Sequence, residues 1–116
     1  MDLPSFMKEV MNIISFFYFN NQTIMPKYFI EIPHKNEKIE CLRSVSILLS
    51  SGSHFLTNAD WGCLDGEHKA WFFMDAGSKD EVLRIVPPAY RKDTKISQLN
   101  KFRLEDVNEL LKHHEE

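Results

Sequence analysis

From residue 27 to residue 33 apolar positions recur at every second place. Tyr28, Ile30 and Ile32 fall on one side, Phe29 and Glu31 on the other, which is the period of a strand. His34 follows in phase with the Tyr28/Ile30/Ile32 face. The period then becomes helical. Asn36 is suited to an N-cap, Cys41, Leu42, Val45, Leu48 and Leu49 make an inward stripe, and Ser50-Ser51-Gly52 stops the helix. Residues 53–58 read as a connection that tucks Phe55 and Leu56 inward. Asp65-Gly66, flanked by strand-forming residues, predicts a type I′ hairpin in which Leu64 faces Glu67, Cys63 faces His68 and Trp61 faces Ala70. Ser78 and Glu81 form a capping box for a helix carrying Val82, Leu83, Ile85 and Val86, which Pro87-Pro88 must end. A fourth strand spans 95–102 with Ile96 and Leu99. A last helix carries Leu104, Val107, Leu110 and Leu111 and finishes in a polar tail over 113–116.

Residues 1–24 stand apart as an N-terminal extension, with the compact domain expected over 25–116. Leu3, Phe6, Val10, Ile13, Ile14 and Phe17 have the spacing of an amphipathic helix. The apolar run 13–19 is short of the roughly 18 residues a spanning helix needs. Asn21-Gln22-Thr23 fits a glycosylation acceptor, which has meaning only in a secreted chain.

The order β-α-β-β-α-β plus a helix is that of the split βαβ, so the expected class is α+β: a ferredoxin-like four-stranded antiparallel sheet with a C-terminal helix. Along the hairpin, Trp61, Phe72 and Met74 share one face while Trp71 and Phe73 share the other. Helices on one side cover only one face of such a sheet, so an apolar second face calls for a partner, and a homodimer is expected. With this element order over about residues 25–111, the stretches Tyr28-Phe29-Ile30-Glu31-Ile32-Pro33-His34, Trp61 to Trp71 and Val86-Pro87-Pro88-Ala89-Tyr90-Arg91 resemble small bacterial members of the dimeric α+β barrel proteins. That group is related to muconolactone isomerase and to stress-responsive proteins. The resemblance implies a dimeric barrel with its site in the interior or at the mouth. It carries over no catalytic residue, because the group spans isomerases, monooxygenases, haem-handling enzymes and metal-binding proteins.

Composition narrows the field. The 116 residues suit one domain, and a net charge of −3 with dispersed Lys and Arg argues against a dedicated nucleic-acid binder. No membrane association is expected. Two cysteines, Cys41 and Cys63, make no disulfide framework; reduced thiols in a cytosolic protein are expected, and a single bridge stays open.

Candidate chemistry gathers at one end of the sheet. In a 4-1-3-2 strand order the end of strand 1 (His34) lies beside the start of strand 3 (His68), opposite Cys63, and the first turn of the first helix brings Cys41 to the same edge. Two thiols and two imidazoles are the donors tetrahedral zinc prefers, with copper or nickel as alternatives. His54 could join them. Packing alone also accounts for these residues: Cys41 serves as a small buried hydrophobe, His68 as a rim residue. Cys63 activated by His68 would be a nucleophile, but no third orienting group is evident. Arg91 beside Tyr90 could hold an anionic ligand, and Trp61 could line an aromatic pocket, although a solvated surface Arg and core or dimer-interface aromatics are the commoner roles. The readings are therefore a small homodimer binding a metal or small molecule, an isomerase- or monooxygenase-like enzyme, or a structural dimer without ligand.

Overall fold

The structure, a computed structural model, describes residues 25–115 together with Lys8. The amphipathic helix and glycosylation acceptor expected over 1–24 lie outside the described residues.

Residues Met25–Leu99 form one compact α+β unit. The chain runs through strand β1 (Lys27–Pro33), helix α1 (Lys38–Leu49), the one-turn helix α2 (His54–Thr57), strand β2 (Asp60–Trp61) and a 3₁₀ turn (Cys63–Asp65). Strand β3 (Lys69–Asp75), helix α3 (Lys79–Ile85), a second 3₁₀ turn (Pro88–Tyr90) and strand β4 (Lys95–Leu99) follow. The sheet order is β2-β3-β1-β4, and every neighbouring pair is antiparallel. Central β1 sets Ile30 against Phe72 on one side and Ile96 on the other.

The alternation along β1 decides which face is covered. Tyr28, Ile30 and Ile32 join Ala70 and Phe72 of β3 in a core completed by Leu48, Leu56, Ala76, Val82 and Val86. The opposite face is mixed. Phe29 and Phe73 stack with ring centroids 5.0 Å apart, and the Lys27 ammonium sits 5.1 Å over Phe73. At the other end of this face Glu31 accepts from Trp71 Nε1 (3.2 Å) and pairs with Lys69 and Lys95 at 3.8 and 4.0 Å.

Several local expectations are corrected. Helix α1 starts after Glu37, which makes no side-chain cap, so Asn36 is not its N-cap. Its inward stripe is rotated: Ser44 and Leu48 are buried while Leu42 and Leu49 are exposed. Ser44 is tolerated inside because its hydroxyl donates to Glu40 O (2.7 Å) and accepts from Tyr90 Oη (3.2 Å). The connection over 53–58 contains α2, whose N-cap Ser53 accepts from Leu56 N. At α3 Ser78 is the N-cap as expected, its Oγ accepting from Glu81 N, and only the return bond differs: Glu81 accepts from Gly77 N rather than from Ser78 N.

The type I′ hairpin is not formed. Among the described residues positive φ occurs only at Gly52 and Gly66, so Asp65 does not meet the requirement of that turn. Instead Gly62 O accepts from both Asp65 N and Glu67 N, closing a 3₁₀ turn that Gly66 ends in the left-handed conformation. Trp61 still pairs with Ala70 as expected, but the ladder stops there and Cys63 does not pair with His68. Strand β4 ends at Leu99 rather than at residue 102.

The C-terminal helix α4 (Leu104–Glu115) belongs to a separate unit. The helix continues through His113 and His114 of the polar tail, with acidic Glu105 and Asp106 in its first turn and Lys112, His113 and His114 in its last, the distribution a helix dipole favours. Arg103 pairs with Glu105 and Asp106 at its start. Among the described residues no helix is long and apolar enough to cross a membrane.

Candidate metal centre

The site grows out of strand phase. Ile30, Ile32 and His34 point to the helix-covered face, as do His68, Ala70 and Phe72 across the ladder. The β1–β3 register, Pro33 opposite Lys69, continues for one more step through His34 N–H donating to His68 O at 3.0 Å. The two imidazoles therefore face each other at the end of the core, centroids 5.4 Å apart and rings perpendicular. Helix α1 starts over this end, and Cys41 N–H, donating to Glu37 O, lies in its first turn. The 3₁₀ turn after Gly62 brings Cys63 to the same point.

The result is a four-residue group. One donor atom from each of His34, Cys41, Cys63 and His68 falls within 4.8 Å of all the others, and all four residues are half-buried. Cys41 Sγ is 3.4 Å from Cys63 Sγ, and Cys63 Sγ is 3.4 Å from His34 Nε2. A tetrahedron built on metal bonds of roughly 2.0–2.3 Å has edges of about 3.3–3.8 Å, close to both separations. The sulfurs are free thiols, well beyond the ~2.05 Å of a disulfide bond.

Two further features bear on the chemistry of the group. The Nδ1 atoms of His34 and His68 are both buried without a hydrogen bond. Such a buried, unpaired ring nitrogen costs about 1–3 kcal/mol. In addition, neither His34 nor Cys63 is driven toward charge. Burial, and then the neighbouring His68, holds the His34 imidazole below its usual 6.5. Burial, and then the Cys41 thiol, pushes Cys63 above its usual 9.0. A neutral imidazole can ligate a metal as it stands, whereas the thiols must give up protons to do so.

Other residues singled out in the sequence sit elsewhere. Trp61 flanks the group, its ring centroid 5.8 Å from that of His34. Tyr90 bonds Ser44, and Arg91 donates from Nε to Val86 O (2.8 Å) and from a terminal nitrogen to Arg84 O (3.2 Å), at the end of α3. The three are not brought together in one polar cluster. His54 is outside the four-residue group, its ring 3.2 Å from Asn58 Nδ2.

Sequence reasoning missed the support for the turn. Trp71 crosses the far side of the turn so closely that a Cβ on Gly62 would lie 2.5 Å from two indole carbons and 2.7 Å from Glu67 O. The glycine between two tryptophan-bearing strands was the available signal. Compared with known proteins, the chain matches no family model, no curated protein and no solved structure.

Proposed function

We propose that this protein holds one zinc ion through His34, Cys41, Cys63 and His68, and that the metal is structural. The observation carrying this reading is the convergence of two thiol sulfurs and two imidazoles within 4.8 Å at the end of the core. Two sulfur and two nitrogen donors suit zinc, which takes such a set tetrahedrally, before copper or nickel. Four protein donors complete the tetrahedron and leave no open position for a substrate, as in structural sites. The ion would tie the end of β1, the start of α1, the turn after β2 and the start of β3 into one corner. The test is elemental analysis of protein purified without a histidine tag, followed by cobalt substitution. One metal per chain and the intense visible bands of tetrahedral cobalt–thiolate are expected. Absence of bound metal, with no change in melting temperature on adding zinc, copper or nickel, overturns the reading.

A ferredoxin-like fold with the second sheet face closed by another copy is the accompanying architectural proposal. Read from β4, the strand order runs 4-1-3-2, and on the outer face Phe73 is 54% exposed and Leu99 38%. Sedimentation equilibrium should give a dimer mass, and a monomer at high concentration would defeat it.

A further inference from the structure

We propose that Cys41 and Cys63 are a redox switch on the metal: hydrogen peroxide joins the two sulfurs and expels the zinc. This rests on the zinc reading above and names its regulation. The two sulfurs are 3.4 Å apart, so they need to close by only about 1.4 Å to reach disulfide distance. They come from elements 22 residues apart in sequence that meet at this one corner. Cys41 lies in the first turn of α1 and Cys63 at the start of a 3₁₀ turn. Both residues are half-buried free cysteines, within reach of a small oxidant.

The chemistry balances. One thiolate attacks a peroxide oxygen, the O–O bond breaks, hydroxide leaves and a sulfenic acid forms. The other thiolate attacks that sulfur, the S–O bond breaks and a second hydroxide leaves. Two protons from solvent turn the hydroxides into water, and the two electrons that reduced the peroxide came from the sulfur pair. Zinc has then lost both thiolates and is held by two imidazoles alone, so it departs into water.

The experiment uses the zinc-loaded full chain without a tag. Peroxide is titrated in while free zinc is followed with a metallochromic indicator, free thiols by alkylation and the cross-link by peptide mass mapping. Zinc should appear in step with the loss of both thiols, with a single intrachain link between the Cys41 and Cys63 peptides. A phosphine reductant should then restore zinc uptake. Zinc retained with both thiols intact overturns the switch and leaves the metal site standing. Zinc lost through sulfinic acids or interchain links does the same. A chain that takes up no zinc at the outset overturns both proposals together.

Discussion

Replacing Gly62 by alanine tests the corner without touching any ligand. The added Cβ would stand 2.5 Å from Cη2 and Cζ3 of Trp71, against 3.4 Å for ordinary contact, so the indole must retreat by about 0.9 Å. Retreat is opposed by the hydrogen bond from Trp71 Nε1 to Glu31, a carboxylate already tied to Lys69 and Lys95. Glu67 O, 2.7 Å from the same Cβ, blocks the alternative of moving the turn instead. Overpacking of this kind costs about 1–3 kcal/mol. Losing the indole hydrogen bond adds about 1 kcal/mol. The sum, about 2–4 kcal/mol, corresponds to a fall in melting temperature on the order of 10–25 °C for a domain this size. Gly66→Ala is the control: its Cβ meets nothing within 4 Å, and only the left-handed backbone (φ +80°) is strained. That strain is worth about 1–2 kcal/mol. Because Gly62 precedes Cys63 and its carbonyl accepts from Glu67 N, Gly62→Ala should also weaken zinc binding, measured by competition with a chelating indicator. A Gly62→Ala protein as stable as the parent, or no less stable than Gly66→Ala, would refute the reasoning.

Four further outcomes are expected. Zinc at a thousandfold excess over its dissociation constant should stabilise the chain by about 4 kcal/mol relative to a chelator, visible as a melting-temperature rise that returns to baseline on chelation. Cys41→Ser, Cys63→Ser and the double variant should lose nearly the same zinc-dependent stability, because one missing ligand opens the tetrahedron; additive losses would instead indicate simple packing. In chelator, His34 held below 6.5 costs stability as pH falls from that value through the folded one. Cys63, held above 9.0, contributes stability that disappears as pH rises from 9.0 through its folded value, so the metal-free chain should be most stable between them, and a flat denaturation profile would contradict this. Arg91→Ala should destabilise by about 1–3 kcal/mol in urea, since Arg91 is the side-chain donor to Val86 O and Arg84 O, while zinc binding stays unchanged.

How much of this was readable beforehand depends on the range of the forces involved. Strand β1 was legible to its boundaries because two-residue alternation is local, and His34 came with it as the next residue in phase. The end of α1 was legible for the same reason, Gly52 being left-handed where the stop was read. The stripe of α1 was not. Leu42 and Leu49 look like core, but Ser44 takes the inward place through a bond from Tyr90, 46 residues away. Asp65-Gly66 misled because only Gly66 adopts positive φ; the turn is closed by Gly62 O and by Trp71 packing beneath, contacts that no dipeptide rule contains. The four clustered residues were nonetheless named, since their convergence follows from which strand ends lie together rather than from the turn type.

The corner also lacks what normally holds a loop. Strand β2 contributes two residues, and past it Leu64 projects fully into solvent with Asp65, Gly66 and Glu67 exposed beside it. Trp71 packs against Gly62, but past it apolar burial does little for residues 64–67, which rely on backbone bonds to Gly62 O and Cys63 O. Bonds of that kind contribute only about 1 kcal/mol each, against an ordering cost of roughly 1–2 kcal/mol for every residue fixed. Yet this weakly held segment brings one donor atom each of Cys63 and His68 within 4.8 Å of those of His34 and Cys41 on two other elements. Under the zinc reading, a leucine turned out and a thiol turned in are reconciled, because the contact holding the segment is then a coordinate bond, strong and directional and needing little apolar surface around it.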